Sequence, residues 1–111
     1  MNHCPVATQD PELNAANQAR TVEQFGYGPH DPSHAPPGWW EDKARRWGLP
    51  LLLAPLRRCG NCSAFDVSRA IIACGGASRD GGRGYCHSHD FSCAAYRTCD
   101  TWAPGGPRVD R

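Results

Sequence analysis

Between Asp10 and Gly26 the segment PELNAANQARTVEQF carries few apolar residues, and Leu13, Ala16 and Arg20 fall on one side of a helix. Asp10 is a capping residue, Pro11 suits the first helical position, and Glu12 places a carboxylate in the first turn. A helix is therefore predicted to run to Phe25, with Gly26 as its stop. Its apolar stripe is thin, and such a helix needs a partner to stay folded. The next stretch, GYGPHDPSHAPPG (26–38), contains four prolines, which fix φ and remove backbone donors, so regular structure is excluded. Residues 1–38 are expected to form an extended N-terminal arm, docked through Tyr27 rather than free.

WWEDKARRW (39–47) reads as a short helix ended by Gly48 and Pro50. Trp40, Ala44 and Trp47 share a face, and Glu41–Arg45 and Asp42–Arg46 are i,i+4 pairs in the favourable order. Two readings of the tryptophans stand side by side: they cap the chain's own core, or Trp39, Trp40 and Trp47 anchor another protein. LPLLLAPL (49–56) is an apolar strap that completes a second zone, residues 39–56. In FDVSRAIIACGG a further short helix is predicted, with Asp66 as cap, Val67, Ala70, Ile71 and Cys74 inward, and Gly75 as stop. GGASRDGGRG reads as a flexible loop whose glycines do not form a phosphate cradle, because no lysine and no strand–turn–helix frame accompany them. Residues 57–103 form a cysteine-rich module, and 104–111 are expected to leave it as a C-terminal tail.

Composition narrows the function classes. The 111-residue chain has a formal net charge of +1 and a pI near 7.6, so no global basic field points to nucleic acid or a membrane surface. Its 12 glycines and 10 prolines favour turns over long regular elements. The N-terminus lacks the charged and apolar regions of a secretory signal, and the longest apolar run is too short to span a bilayer. Synthesis in a cytoplasm is the expectation, where thiols are kept reduced and cysteine clusters argue for metal before disulfides. Of seven cysteines, six lie between Cys59 and Cys99. Cys4 stands apart and is read as an unused surface thiol.

A module of about fifty residues buries too little apolar surface to fold comfortably without a staple. Zinc needs four Cys or His donors, usually as two close pairs. Cys59-Gly-Asn-Cys62 is one such pair, but Cys86 with His87 or His89 and the later cysteines do not supply a standard second, so zinc is the runner-up. A thioredoxin-like centre lacks its βαβ frame. A cysteine nucleophile with His87 or His89 as base lacks an orienting third group. No enzyme activity is expected. An iron–sulfur cluster fits better, because it takes four thiolates inside an apolar, aromatic shell. Phe65, Tyr85, Phe91, Tyr96 and Trp102 lie close to cysteines in the sequence.

CGNCSAF followed much later by a cysteine and CDTW resembles the high-potential iron–sulfur proteins, whose pattern is CxxC with an aromatic three on, then two separated cysteines, the last again with an aromatic three on. Carried over, the resemblance implies Cys59, Cys62, Cys86 and Cys99 as ligands of a [4Fe–4S] cluster. The gap from Cys62 to Cys86 is longer than that family's and contains Cys74. An alternative set is Cys59, Cys62, Cys74 and Cys86. Cys74 and Cys93 are thus possible alternative ligands, otherwise buried thiols or a bridge. A second resemblance covers about residues 26–107: the order GYGPHDPS, WWEDKARRWGLP, RCGNCSAFD and GYCHSHDFSCAAYRTCDTW looks like small virion-associated proteins of tailed bacteriophages. It implies a minor structural protein of the capsid, neck or tail. Its partners would be portal, neck, tail or capsid subunits, its location the virion, and its cluster a staple. The expected fold is a small irregular α+β module, metal-stapled, with an extended arm and short helices. An electron-transfer iron–sulfur protein and a zinc-stapled protein-binding module are the competing readings.

Overall fold

The computed structural model describes residues 9–29 and 34–110. In chain order the elements are α1 (Pro11–Phe25), α2 (Trp39–Trp47), two 3-10 helices (Leu51–Leu56 and Cys59–Asn61), β1 (Phe65–Asp66), α3 (Arg69–Ala73), β2 (Arg83–Cys86) and β3 (Phe91–Ala94). The whole is a small α+β globule in which short helices surround a three-stranded antiparallel sheet of order β1-β2-β3.

Local signals set the helices. Asp10 caps α1 by accepting the Leu13 N–H, Pro11 opens it, and Gly26 closes it at φ 62°, a left-handed conformation that favours glycine. α2 ends as expected at a left-handed Gly48. Its ion pairs differ from expectation: Arg45 pairs with Asp42 at i,i+3, and Arg46 reaches Asp100 at 3.3 Å instead of its own helix. α3 starts later than predicted, with Ser68 at the N-cap position, because Asp66 belongs to β1. Asp66 still supports the turn by accepting the Ser68 N–H at 2.9 Å. Ile71 is buried as expected, whereas Ala70 is exposed.

The sheet organises the interior. Phe65 stands opposite Cys86, Cys86 opposite Phe91, and Gly84 opposite Cys93. Cross-strand partners share a face, so these five residues form one side of the sheet. That side meets Tyr27, Cys59, Cys62, Ala64 and Cys99 in the main core. Tyr85 lies on the other side with Ile71, flanked by Cys74 and Ala77. Gly84 is required by the first layer: a Cβ there would stand 2.5–2.7 Å from three ring atoms of Phe65. Gly84→Ala is expected to displace that ring and cost about 1–3 kcal/mol, read as a lowered thermal midpoint against the wild type.

Several expectations are corrected. Leu13 and Ala16 of α1 face solvent, and the helix docks on β3 through its polar side, with Asn17 and Thr21 buried. Asn17 Nδ2 donates to the Asp90 carbonyl (2.7 Å), Arg20 to the His89 carbonyl (3.2 Å), and Asn14 Oδ1 accepts the Ser92 N–H (2.9 Å). The reason is the edge of the sheet, whose unpaired backbone groups need hydrogen-bonding partners more than apolar cover. The arm does not reach away from the body in its described part. Tyr27 is a core residue; its ring meets Phe91 edge-on at 4.9 Å and its hydroxyl accepts the Ala94 N–H at 2.8 Å. Gly28 and Thr98 exchange two backbone hydrogen bonds beside it (3.0 and 2.8 Å). Residues 104–110 do not leave the fold either. Arg108 accepts the Val67 N–H and donates its own to Phe65, while Asp110 takes the Arg69 N–H. They run along the free edge of β1, for the same reason that α1 covers β3. Cys4 lies outside the described residues.

Candidate metal centre

Five cysteines, Cys59, Cys62, Cys86, Cys93 and Cys99, surround one cavity, closed by Ala64, Phe65 and Trp102 with Ser88 and Thr101 at its polar side. The free space between them is small, about 10 Å³. All five thiols are free and buried.

Each thiol is placed by a separate device. Cys59 and Cys62 sit at either end of a single 3-10 turn, with the Cys62 N–H bonded to the Cys59 carbonyl (2.9 Å). That turn is pinned to the segment after β3: Cys59 N–H donates to the Arg97 carbonyl (2.6 Å) and Gly60 N–H to the Ala95 carbonyl (2.9 Å). The C-terminal segment closes in from the other side, where a Cβ on Gly106 would lie 1.8 Å from the Cys62 carbonyl oxygen. Cys86 ends β2, and the loop to Phe91 turns back so that the Ser88 and His89 amides hydrogen-bond its sulfur. Cys99 follows the Gly28–Thr98 bridge and is met by the Thr101 hydroxyl at 3.3 Å.

The two ends of the sequence motif are joined directly. The Trp102 indole N–H donates to the Arg58 carbonyl (2.9 Å) and to Asn61 Oδ1 (2.8 Å), and Asn61 Oδ1 also accepts the Arg58 N–H (3.0 Å). The Arg57 guanidinium lies over the Trp102 ring at 4.5 Å. CxxC and CDTW are therefore one assembly.

The electrostatics of the thiols are unequal. Cys86 is drawn down to about 7, chiefly by its hydrogen bond with Cys93, against the opposing effect of burial. Burial pushes Cys99 up to about 11, with the Thr101 hydrogen bond working the other way. Cys93 is pushed well above the usual thiol range by its hydrogen bonds with the Cys59 and Cys86 sulfurs and then by burial.

Among the described residues, no group of three or more His, Cys, Asp or Glu side chains is arranged to hold a metal ion. Sulfurs bound to one zinc at about 2.3 Å must all lie within about 4 Å of one another. The five thiols line one small cavity, with no three donors set around a single-ion site among the described residues. The predicted ligands Cys59, Cys62, Cys86 and Cys99 are all brought to it, as is Cys93. Cys74 is not: it packs beside Ile71 and Tyr85 on the opposite side of the sheet and is disulfide-bonded. The histidines are engaged elsewhere, His87 with Asp66 (2.8 Å) and His89 with the Thr101 hydroxyl (2.7 Å).

Trp39, Trp40 and Trp47 are half-buried against the chain's own groups. Lys43 lies over Trp39 (4.8 Å), Arg58 over Trp40 (5.1 Å) and Arg57 over Trp47 (5.1 Å). The Trp47 indole N–H donates to the Asp100 carbonyl (3.0 Å). Asp100 is a hub that sequence reasoning missed. Its carboxylate pairs with buried Lys43 and with Arg46, and its N–H donates to the Phe25 carbonyl (2.8 Å). The signal for it, an acid beside the last cysteine, is too common to stand out.

Comparison with known proteins adds no relative: no family model, no curated protein and no solved structure matches the chain.

Proposed function

We propose that this chain is a small iron–sulfur protein in which Cys59, Cys62, Cys86 and Cys99 hold a [4Fe–4S] cluster, and that the cluster serves as a staple for the fold. The observation that carries this reading is the cavity lined by five free thiols and capped by Phe65 and Trp102. A cluster takes four thiolates drawn from separate segments, and among the described residues no three donors are set around a single-ion site as one zinc would need. Backbone N–H groups aimed at the Cys86 sulfur and the hydroxyl at Cys99 supply the hydrogen bonds that such ligands use.

A staple fits thiols that are buried in the main core and drawn from separate segments of the chain. The wider role we propose is that of an accessory part of a larger assembly, for which the resemblance to phage virion proteins supplies the setting. Support for docking comes from the strap more than from the tryptophans: Leu51, Leu52, Leu53 and Leu56 are all exposed, Leu52 at 88%. The test is analytical. Protein produced with ample iron and purified without oxygen is expected to carry four irons and four sulfides per chain and to be brown. Colourless protein with one zinc per chain would overturn the iron–sulfur reading.

A further inference from the structure

The exposed leucines lie beside arginines that no carboxylate of the chain neutralises, and α1 carries glutamates that no cation neutralises. We infer that the Leu51–Leu56 strap docks on the outer face of α1 of a second copy, with Arg57 and Arg58 set against that copy's Glu12 and Glu23. This names an occupant for the strap and rests on the docking role proposed above, but not on the metal.

Charge around the strap is one-sided. Arg57 stacks over Trp47 and Trp102, and Arg58 over Trp40, so both guanidiniums lie against α2, where Arg45 and Arg46 are exposed. Arg45 and Arg46 have partners in Asp42 and Asp100. Among the described residues Arg57 and Arg58 pair with no carboxylate. Arg58 donates to the Pro55 and Tyr96 carbonyls instead (2.6 and 2.7 Å). An exposed apolar patch with a basic rim calls for an apolar face with an acidic one.

α1 has that face. Its polar side is taken up by β3, which leaves the opposite side in solvent. Glu12 and Glu23 return to within about 20° of each other around the helix and stand about 16 Å apart along it. Ala16 lies in the row between them and Leu13 beside it, and all four are exposed. Neither glutamate has an ion-pair partner among the described residues. Within one chain the strap and this face are both uncovered, so their meeting takes another copy. Each copy offers both halves; the contact is therefore heterologous, and copies add in series unless a ring closes. An anionic membrane would satisfy the arginines but would leave the two glutamates unmatched.

Sedimentation velocity of the purified protein over a range of concentrations, at low and high salt, tests this. The wild type is expected to form larger species as concentration rises, and less so at high salt. Leu52→Asp on the strap and Ala16→Arg on α1 are each expected to weaken association at least about tenfold. Their thermal melts, taken on dilute protein, are expected to match the wild type because both positions are exposed. Mixed together, the two variants are expected to associate again, since one keeps an intact α1 and the other an intact strap. Wild type that stays monomeric throughout would overturn the inference, and so would variants that associate like the wild type or a mixture that does not associate. Monomeric protein that binds vesicles of phosphatidylserine and phosphatidylcholine would give the strap to a membrane and overturn it too. A monomer that is retained by a different protein would overturn the inference while keeping the docking role, and iron and sulfide analysis decides the iron–sulfur reading separately.

Discussion

On the proposed iron–sulfur reading, Cys62→Ala is expected to bind no iron and to lose the cooperative unfolding of the chain. The main core consists of Tyr27, Cys59, Cys62, Ala64, Phe65, Cys86, Phe91, Cys93 and Cys99, so five of its nine buried members are cysteines. No leucine, isoleucine or valine is among them. Apolar burial on that scale does not offset the entropy of ordering the surrounding loops. Metal binding to a structural thiolate site contributes about 10–16 kcal/mol in small zinc peptides, which equals or exceeds the whole stability of a typical domain, about 5–15 kcal/mol. Loss of one ligand that releases the cluster therefore removes more than the fold has to spare. The measurement is iron content together with a thermal melt followed by circular dichroism. Leu52→Ala, on the exposed strap, serves as the control and is expected to keep both. Stripping iron from the wild type with a chelator, under reducing conditions, is expected to reproduce the Cys62→Ala melt. A stripped chain that still melts cooperatively near the original temperature would show that the thiols are an ordinary core.

Asp100→Ala is expected to destabilise the loaded protein by about 3–5 kcal/mol, because it leaves the Lys43 ammonium buried without its counter-charge. Lys43 is 5% exposed; its other contacts are the Gly26 carbonyl (3.0 Å) and the Trp39 ring. Lys43→Met is expected to cost less, since Arg46 still faces the Asp100 carboxylate and the methionine keeps the packed stem. The double variant is expected to recover part of the Asp100→Ala loss, because it removes the uncompensated charge. Urea unfolding of all four proteins checks the order. Asp100 is also the residue after Cys99, and its backbone ties that segment to Phe25 and Trp47. Faster iron loss from Asp100→Ala than from Lys43→Met would show that the hub holds the metal centre as well as α2.

The phenylalanine and tryptophan that follow the outer cysteines play different parts, which spacing did not distinguish. Phe65 is a core residue lying over Gly84, whereas Trp102 is a half-buried brace whose indole N–H holds the Cys59–Cys62 turn. Tyr85, just before Cys86, is turned away from the cavity, because neighbours in a strand point to opposite faces. The β2–β3 hairpin itself was hidden by its short strands and by a turn, His87–Asp90, without a glycine. Asp90 carries the positive φ of 56° that glycine usually takes.

What the amino-acid order determined alone is local. Asp10, Pro11, Gly26 and Gly48 act within one helical turn, so α1 and α2 were legible with their ends. Cys59, Cys62, Cys86 and Cys99 came as a set only through the resemblance to high-potential iron–sulfur proteins, with Cys59, Cys62, Cys74 and Cys86 as the alternative. What the tertiary structure decided is which faces meet. It turned the polar side of α1 onto the edge of β3, drew Tyr27 inward, laid residues 104–110 along β1, excluded Cys74 from the cavity and admitted Cys93. These outcomes depend on strand register and on unpaired edge groups seeking partners, and both couple residues dozens of positions apart. Caps and proline constraints are settled among neighbours, but register is settled only when the whole sheet closes.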